Sequence, residues 1–315
     1  MTAAYLLRRV IEIVPVLLVV TVVVFGILHL TPGDPARLML GDIASEEDVT
    51  RLRQSLGLER PIYIQYLSFV GGLLRGDLGE SLALDRSVLT ALLERVEPTI
   101  VLTLFSLIIA VVFGVVTGIL SAMHHNRWAD QFISTLALVG VSIPNFWLGL
   151  IFILVFAVEF GWFPATGYPP IAEKGVWRSL WHLVLPAVAL GLSQAAIISR
   201  ITRSTMLDVF QQDFVRTAVA KGASRQIVVV RHVLTNALVP VLTVIGLVLA
   251  ALLSGAVVVE TVFAIPGLGR LVISSISRRD YPVIQGIVLL TALVYVVVNL
   301  LVDLLYTVAD PRIRY

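Results

Sequence analysis

The chain has 315 residues, 58% of them hydrophobic and only 14% charged, with a mean hydropathy of +0.95. A water-facing domain is about a quarter charged, so the bilayer must be the main solvent, and a net charge of +2 is too small to recommend a nucleic-acid partner. The absence of cysteine excludes disulfides, thiolate chemistry and Cys-based metal sites.

Six apolar runs predict an all-α membrane protein with about six transmembrane helices. Each has about 20 residues or more, enough to cross ~30 Å of hydrocarbon as a helix. The first, Val10–Leu30, follows a charged Leu6–Arg9 and carries only Glu12. It exceeds the apolar core of a signal peptide and lacks a small-residue cleavage site, so it reads as an anchor.

A long loop, Thr31 to Pro98, comes next, with eleven acids and seven arginines. Its opening TPGDP forces a turn. Ser45 and Asp48 stand at capping-box spacing, Val49, Leu52 and Leu56 share a helical face, and Gly57 sits where a helix should stop. A second short helix with interfacial aromatics is predicted in RPIYIQYLSFVGGLLRG. The loop reads either as a lid over the helix ends or as a docking surface for an extracytoplasmic partner.

The second and third runs, Thr99–Ala122 and Gln131–Val158, carry no charge. In the second, Ala110, Gly114, Gly118 and Ala122 recur every four residues, as Gly246, Ala250 and Ser254 do in the fifth run. Such ridges permit close backbone approach, within the subunit or across a dimer. Pro144, followed by Asn145, and Pro186 interrupt hydrogen bonding inside spans. They fit hinge or pathway positions, or simply the frequency of proline in membrane helices. Leu180–Ser199, Val233–Val259 and Tyr281–Val302 complete the six.

Glu12, Glu260 and Asp303 lie near span ends, where the interface is within reach and no partner is evident, so a proton relay has little support. His29, His182 and His232 are isolated, and the adjacent His124 and His125 do not share a helical face, so no metal site is expected. Nucleotide-binding, zinc-protease and serine-hydrolase motifs are absent, and Gly267–Gly269 lacks a strand before it. The chain is expected to hold no cofactor and to be no enzyme.

Orientation follows from the basic residues of the short loops. With the N-terminus inside, the inner segments carry Arg8, Arg9, Arg127, Arg200, Arg203, Arg216, Lys221, Arg225, Arg231, Arg312 and Arg314. The short outer loops carry Lys174, Arg178, Arg270, Arg278 and Arg279. Both termini are therefore expected in the cytoplasm.

Between the fourth and fifth runs, Arg200 to His232 holds six cations (lysine or arginine) and two acids. Asp208 to Ala220 is expected to extend the fourth helix inward, Gly222 to reverse the chain, and RQIVVVRHVL to start a helix leading back. That shape suits a groove on a soluble partner, or serves only as a basic anchor.

In this loop RTAVAKG, followed by RHVLTNALVP, resembles the cytoplasmic EAA loop of ABC-importer permeases in its dipeptide/oligopeptide/nickel form. Arg216, Thr217, Ala218, Ala220, Lys221, Gly222, Asn236, Ala237, Leu238 and Pro240 match; the general importer pattern has Glu in place of Arg216 and usually Asp in place of Lys221. PGDPA, LGLERPIYIQY, GDLGES, SIPNFWLG, VVVETVFAIPGLGRL, RDYPVIQG and NLLVDLLYTVADPRIRY resemble the same family, in order along nearly the whole chain. The first-position permease of a heterodimeric pair is the nearer likeness, because that subunit carries the long loop after its first span.

The resemblance implies a type I importer permease fold with domains 1–30, 31–98 and 99–315, the last holding a coupling loop at 200–235. It implies a second homologous permease, two cytoplasmic ATPases that bind ATP and magnesium, an extracytoplasmic binding protein and surrounding lipid. Arg216, Thr217, Ala218, Ala220, Lys221, Gly222, Ala223 and Ser224 would form the ATPase-coupling segment, and Pro144, Asn145 and Pro186 a hinge or pathway. Peptides, glutathione included, are the expected cargo, with nickel chelates or another small solute as the alternative. An ATP-independent channel or secondary transporter is the rival class; it calls for paired mid-membrane charges and inverted repeats, neither evident here.

Overall fold

The computed structural model describes residues 3–30, 34–41, 44–55, 57–81 and 83–309, without the side chains of 3–12, 28, 35, 38, 39, 52 and 302–309. The Leu6–Arg9 charges, Glu12, the 31–33 part of the predicted turn, Leu52, Leu56, Asp303, Arg312 and Arg314 therefore lie outside the description.

In chain order come α1 (Ala3–Leu30), α2 (Pro35–Leu40), α3 (Glu46–Ser55) and α4 (Ile62–Leu74). A two-strand hairpin, β1 (Glu80–Ser81) and β2 (Arg86–Ser87), leads into α5 (Val88–Met123). Next are α6 (Trp128–Ser142) and α7 (Asn145–Phe152), which continues as a π-helical segment, Ile153–Glu159. α8 (Ile171–Lys174), α9 (Val176–Phe210), α10 (Asp213–Ala220) and α11 (Arg225–Ile227) follow. A second π-helical segment, Val228–Leu234, joins α12 (Thr235–Val262), and α13 (Leu268–Ser277) and α14 (Tyr281–Ala309) close the chain.

All six apolar runs fall on helices. Among the described residues four helices are long and apolar enough to cross a membrane, and the pair α6 and α7 makes a fifth if counted as one. The third run is therefore not the straight span its composition predicts. It bends by 100° at Ser142–Asn145. Ile143, before the proline, is extended (φ −87°, ψ 124°), as the clash of a proline ring with the preceding residue demands. Pro186 lies buried within an unbroken α9 instead.

The chain forms two compact units. In the first, residues 1–97 and 267–297, α4 lies along α1: the Thr21 and Tyr66 hydroxyls are 3.0 Å apart and His29 Nε2 is 3.0 Å from Gln65 Oε1. The predicted cap of α3 is formed, Asp48 N–H donating to Ser45 Oγ at 3.1 Å. Its predicted stop is formed too. Gly57 has φ +66°, with its N–H on the Gln54 carbonyl and the Leu58 N–H on Arg53. Val88, Leu92, Leu268, Leu271, Val283 and Ile287 make this unit's core.

The second unit, 98–266 with 298–315, is built on α9, which packs against α6, α7 and α12. Apolar burial adds little between helices already in lipid, so close packing must do more of the work. The residues agree. A Cβ on Gly114 would lie 2.7 Å from Ile198 Cβ and one on Gly118 2.6 Å from Thr202 Cβ; on Gly191 it would lie 2.7 Å from the Ser106 carbonyl. The glycine ridge read from the sequence thus serves contact between α5 and α9 within one subunit.

Candidate functional site

Four residues of the predicted coupling segment, Arg216, Thr217, Ala218 and Ala220, lie on α10, and the rest form the turn after it. α9 does not run on to Ala220 as expected. It stops at Phe210, and Gln212 is extended (φ −73°, ψ 147°) before α10 begins. A separate short helix results, bounded by two turns. Val215 is its buried anchor, packed with Met206, Val209, Val228, Val229 and Val233, while Phe214, Arg216, Thr217, Val219 and Ala220 are exposed.

The turn is locally specified. Gly222 has φ +81°, its N–H donates to the Val219 carbonyl at 2.9 Å, and the Ala223 N–H donates to Ala218 at 3.2 Å. This is the paired C-terminal cap that favours glycine at the left-handed position. Ser224 then caps α11, its hydroxyl accepting from the Ile227 N–H at 3.5 Å. Lys221 stays exposed, and Arg216 reaches only Asp213, 3.4 Å away on its own helix. Both cations are thus available to a partner.

Pro144 and Asn145 sit at the bend between α6 and α7. A Cβ on Gly255 would lie 3.6 Å from Asn145 Nδ2, and one on Gly149 would lie 2.9 Å from Phe263, so α7 lies close on α12. No side chain caps the start of α7. Irregular backbone at membrane depth is tolerated where protein or a water-filled path covers it. The bend and the coupling segment are separate sites, and Pro186 belongs to neither.

Two features escaped the sequence reading. Glu260, near the end of its span, is fully buried within the protein and has a partner after all, accepting from the Thr99 hydroxyl at 2.6 Å. Asp130, 3% exposed, accepts from Arg203 through Nε (2.6 Å) and Nη2 (2.8 Å), from the Ser121 hydroxyl (2.5 Å) and from the Asn126 N–H (2.9 Å). His125 Nδ1 lies 3.1 Å from Arg203 Nη2, where it can only accept. Among the described residues no three His, Asp or Glu side chains gather as a metal site.

Comparison with known proteins places this architecture. Residues 114–315 match the family described as binding-protein-dependent transport system inner membrane component, and residues 2–104 match the N-terminal component of the same systems. The chain belongs to the peptide/nickel family of ABC-importer permeases. It is 44% identical to the dipeptide transport system permease protein of Alkalihalophilus pseudofirmus, over 99% of each chain. It is 44% identical to a putative peptide transport system permease protein of Brucella melitensis over the full length of both, and 43% identical to the glutathione transport system permease protein of Escherichia coli over 99% of each. The methionine ABC transporter MetNI, solved in inward facing conformations, superposes with a TM-score of 0.58 at 19% identity, over 70% of this chain and 96% of that one. At that identity the likeness speaks for the fold alone. The permease is a transport subunit and a multi-pass protein of the inner membrane.

Proposed function

We propose that this permease translocates peptides, of dipeptide to glutathione size, delivered by an extracytoplasmic binding protein and driven by two ATPase subunits. The observation that carries the coupling half is the free-standing α10, anchored by Val215 and closed by the left-handed Gly222, with Arg216 and Lys221 outward. The cargo rests on full-length relatives named for dipeptides, peptides and glutathione. In this reading both termini are cytoplasmic, 31–98 is an extracytoplasmic helical domain, and a five-helix core at 99–315 carries the coupling loop 200–235. A second, homologous permease completes the pathway, this chain being the first-position member. ATP and magnesium reside in the ATPases.

Residues Arg216–Ser224 fill a cleft of one ATPase, where Arg216 and Lys221 meet acidic groups. ATP-driven closure then moves α10 as a lever, and the bend at Pro144–Asn145 lies on the side of the pathway that responds. The test is ATP hydrolysis by the complex in lipid, with binding protein and dialanine, trialanine, glutathione or a nickel–histidine chelate. Stimulation by a peptide, lost in Gly222→Pro with Arg216→Glu while the complex stays assembled, is expected. Stimulation only by the nickel chelate refutes the cargo, and a fully stimulated variant refutes the coupling role.

A further inference from the structure

We propose that Asp130 and Arg203 are positioning residues that clamp the cytoplasmic ends of α5, α6 and α9 into one rigid body, onto which Arg225 fastens the coupling segment. The proposal rests on the coupling reading of Arg216–Ser224 and extends it to residues outside the loop.

A coupling loop can act as a lever only if it is stiffly attached to the helices it must move. Covalent continuity alone does not supply this, since α10 is cut from α9 at Gln211–Gln212. Val215, packed on Met206 and Val209 of α9, holds α10 by apolar contact, and a directional joint adds to it. Arg225, the first residue of α11, provides it by donating from Nη2 to the Met123 carbonyl at 2.7 Å. That carbonyl belongs to the last residue of α5, at the mouth of the tight turn into α6. Force from the loop therefore also reaches the α5–α6 turn.

The clamp holds that turn. Asp130 is two residues into α6 and Arg203 lies on α9, 73 positions along the chain. The two parallel bonds from the guanidinium fix direction as well as distance. Ser121 brings the end of α5 to the same carboxylate, and the Asn126 N–H brings the turn itself, where Asn126 has φ +61°. One carboxylate thus binds three helices and their connection. Its burial raises the stakes, because removing a partner from a buried charged pair leaves an uncompensated charge. Flexible packing could hold these helices together; a bidentate pair holds them at one angle.

Two measurements test this, both on the assembled importer. The chain has no native cysteine, so spin labels can be attached at Arg127→Cys in the turn and Gln226→Cys beside Arg225, both exposed positions. Pulsed dipolar spectroscopy is then recorded without nucleotide and with the ATPases trapped by ADP and vanadate. Rigid-body motion keeps the label distance the same in both states within about 2 Å, the scale of interface helix shifts. A larger change overturns the Arg225 joint, and the proposal with it.

The second measurement is the ratio of stimulated to basal ATP hydrolysis, using the peptide that best stimulates the wild type among dialanine, trialanine and glutathione. Asp130→Asn should lower this ratio about fivefold to thirtyfold at unchanged basal rate, and the double variant with Arg203→Ala should be no worse than either single. Arg203→Lys, which keeps the charge but loses the fork, should fall between, and it decides the matter if Asp130→Asn does not assemble. A merely structural pair would instead lower basal and stimulated rates together. Gly222→Pro separates the two readings. If it uncouples and the clamp variants do not, the clamp fails alone; if it does not uncouple, the coupling reading fails, and the label distance still judges the Arg225 joint.

Discussion

Replacing Gly114 and Gly118 together by alanine perturbs the molecule where its tolerance can be worked from distances. The new methyl at 114 would stand 2.8 Å from the Ala195 carbonyl oxygen and 2.7 Å from Ile198 Cβ; at 118 it would stand 2.7 Å from the Ser199 carbonyl and 2.6 Å from Thr202 Cβ. Non-bonded carbons rest at about 3.5–4.0 Å, so α5 and α9 must separate by roughly 1 Å. Neither obstacle can rotate away, since carbonyls and Cβ atoms are fixed to the backbone. Overpacking of this kind costs about 1–3 kcal/mol, and the two sites, one turn apart, share one displacement, so their costs do not add. Alanine's helix propensity returns at most about 1 kcal/mol per site. With obstacles fixed to the backbone at 2.6–2.8 Å the cost sits at the upper end, about 3 kcal/mol. After a return of about 1–2 kcal/mol over the two sites the expected net loss is about 1–2 kcal/mol, lowering the apparent melting temperature of the purified complex by roughly 2–8 °C. Gly71→Ala is the control, because its methyl meets nothing within 4 Å and α4 is helical there. If the double variant melts at or above the parent, or Gly71→Ala falls equally far, the close α5–α9 approach is not what these glycines secure.

Glu260→Ala removes the acceptor of the Thr99 hydroxyl and opens a void at a fully buried position, and is expected to cost about 2–4 kcal/mol, readable in the same melting assay. Ser81→Ala takes the Ser81 hydroxyl from the buried Asp280, to which it donates at 2.5 Å, and from the Leu84 N–H, and should destabilise by about 1–3 kcal/mol. The exposed Ser87→Ala in the partner strand should be neutral. Asp34 caps α2 through the Ala36 N–H and pairs with Arg53, whose hydrogen bond holds the carboxyl below its ordinary 3.8. A depressed folded pKa stabilises above the unfolded value and ceases to do so as pH falls through the folded one. Amide exchange in α2 and α3 should therefore lose protection below about pH 4, relative to pH 7, and Asp34→Asn should abolish that difference.

What the sequence made legible was whatever neighbouring residues decide. The α3 cap at Ser45, the stop at Gly57 and the reversal at Gly222 each need a side chain or a φ value supplied within four residues, and all three stand where the sequence puts them. The apolar runs are equally local, since a bilayer imposes its thickness on any helix that crosses it. The 100° bend was not legible as such. Pro144 interrupts the third run as Pro186 interrupts the fourth, yet only the first breaks a helix. The difference lies with their neighbours: α9 around Pro186 is enclosed by other helices, while α7 is drawn onto α12 at Gly149 and Gly255. No local composition encodes which proline will be surrounded.

The pairing of buried charge was not legible for a related reason. A lone acid at the edge of an apolar run, such as Glu260, reads from sequence as one without a partner, because its partner lies 161 residues away, and the partner of Asp130 lies 73 away. Interfacial position and buried pairing leave the same trace in a hydropathy profile. They differ in cost. A carboxyl at an interface is solvated by water, whereas a buried one must find donors within the protein or its burial works against the fold. Asp130 has a fork, a hydroxyl and a backbone N–H, more than an anchor at the end of a helix requires. A small residue stripe such as Gly114 and Gly118 can bring two helices close, but it leaves them free to slide along the groove. Fixing the angle at which α5, α6 and α9 leave the bundle requires directional bonds. The bidentate pair lies where the connecting turn must carry load.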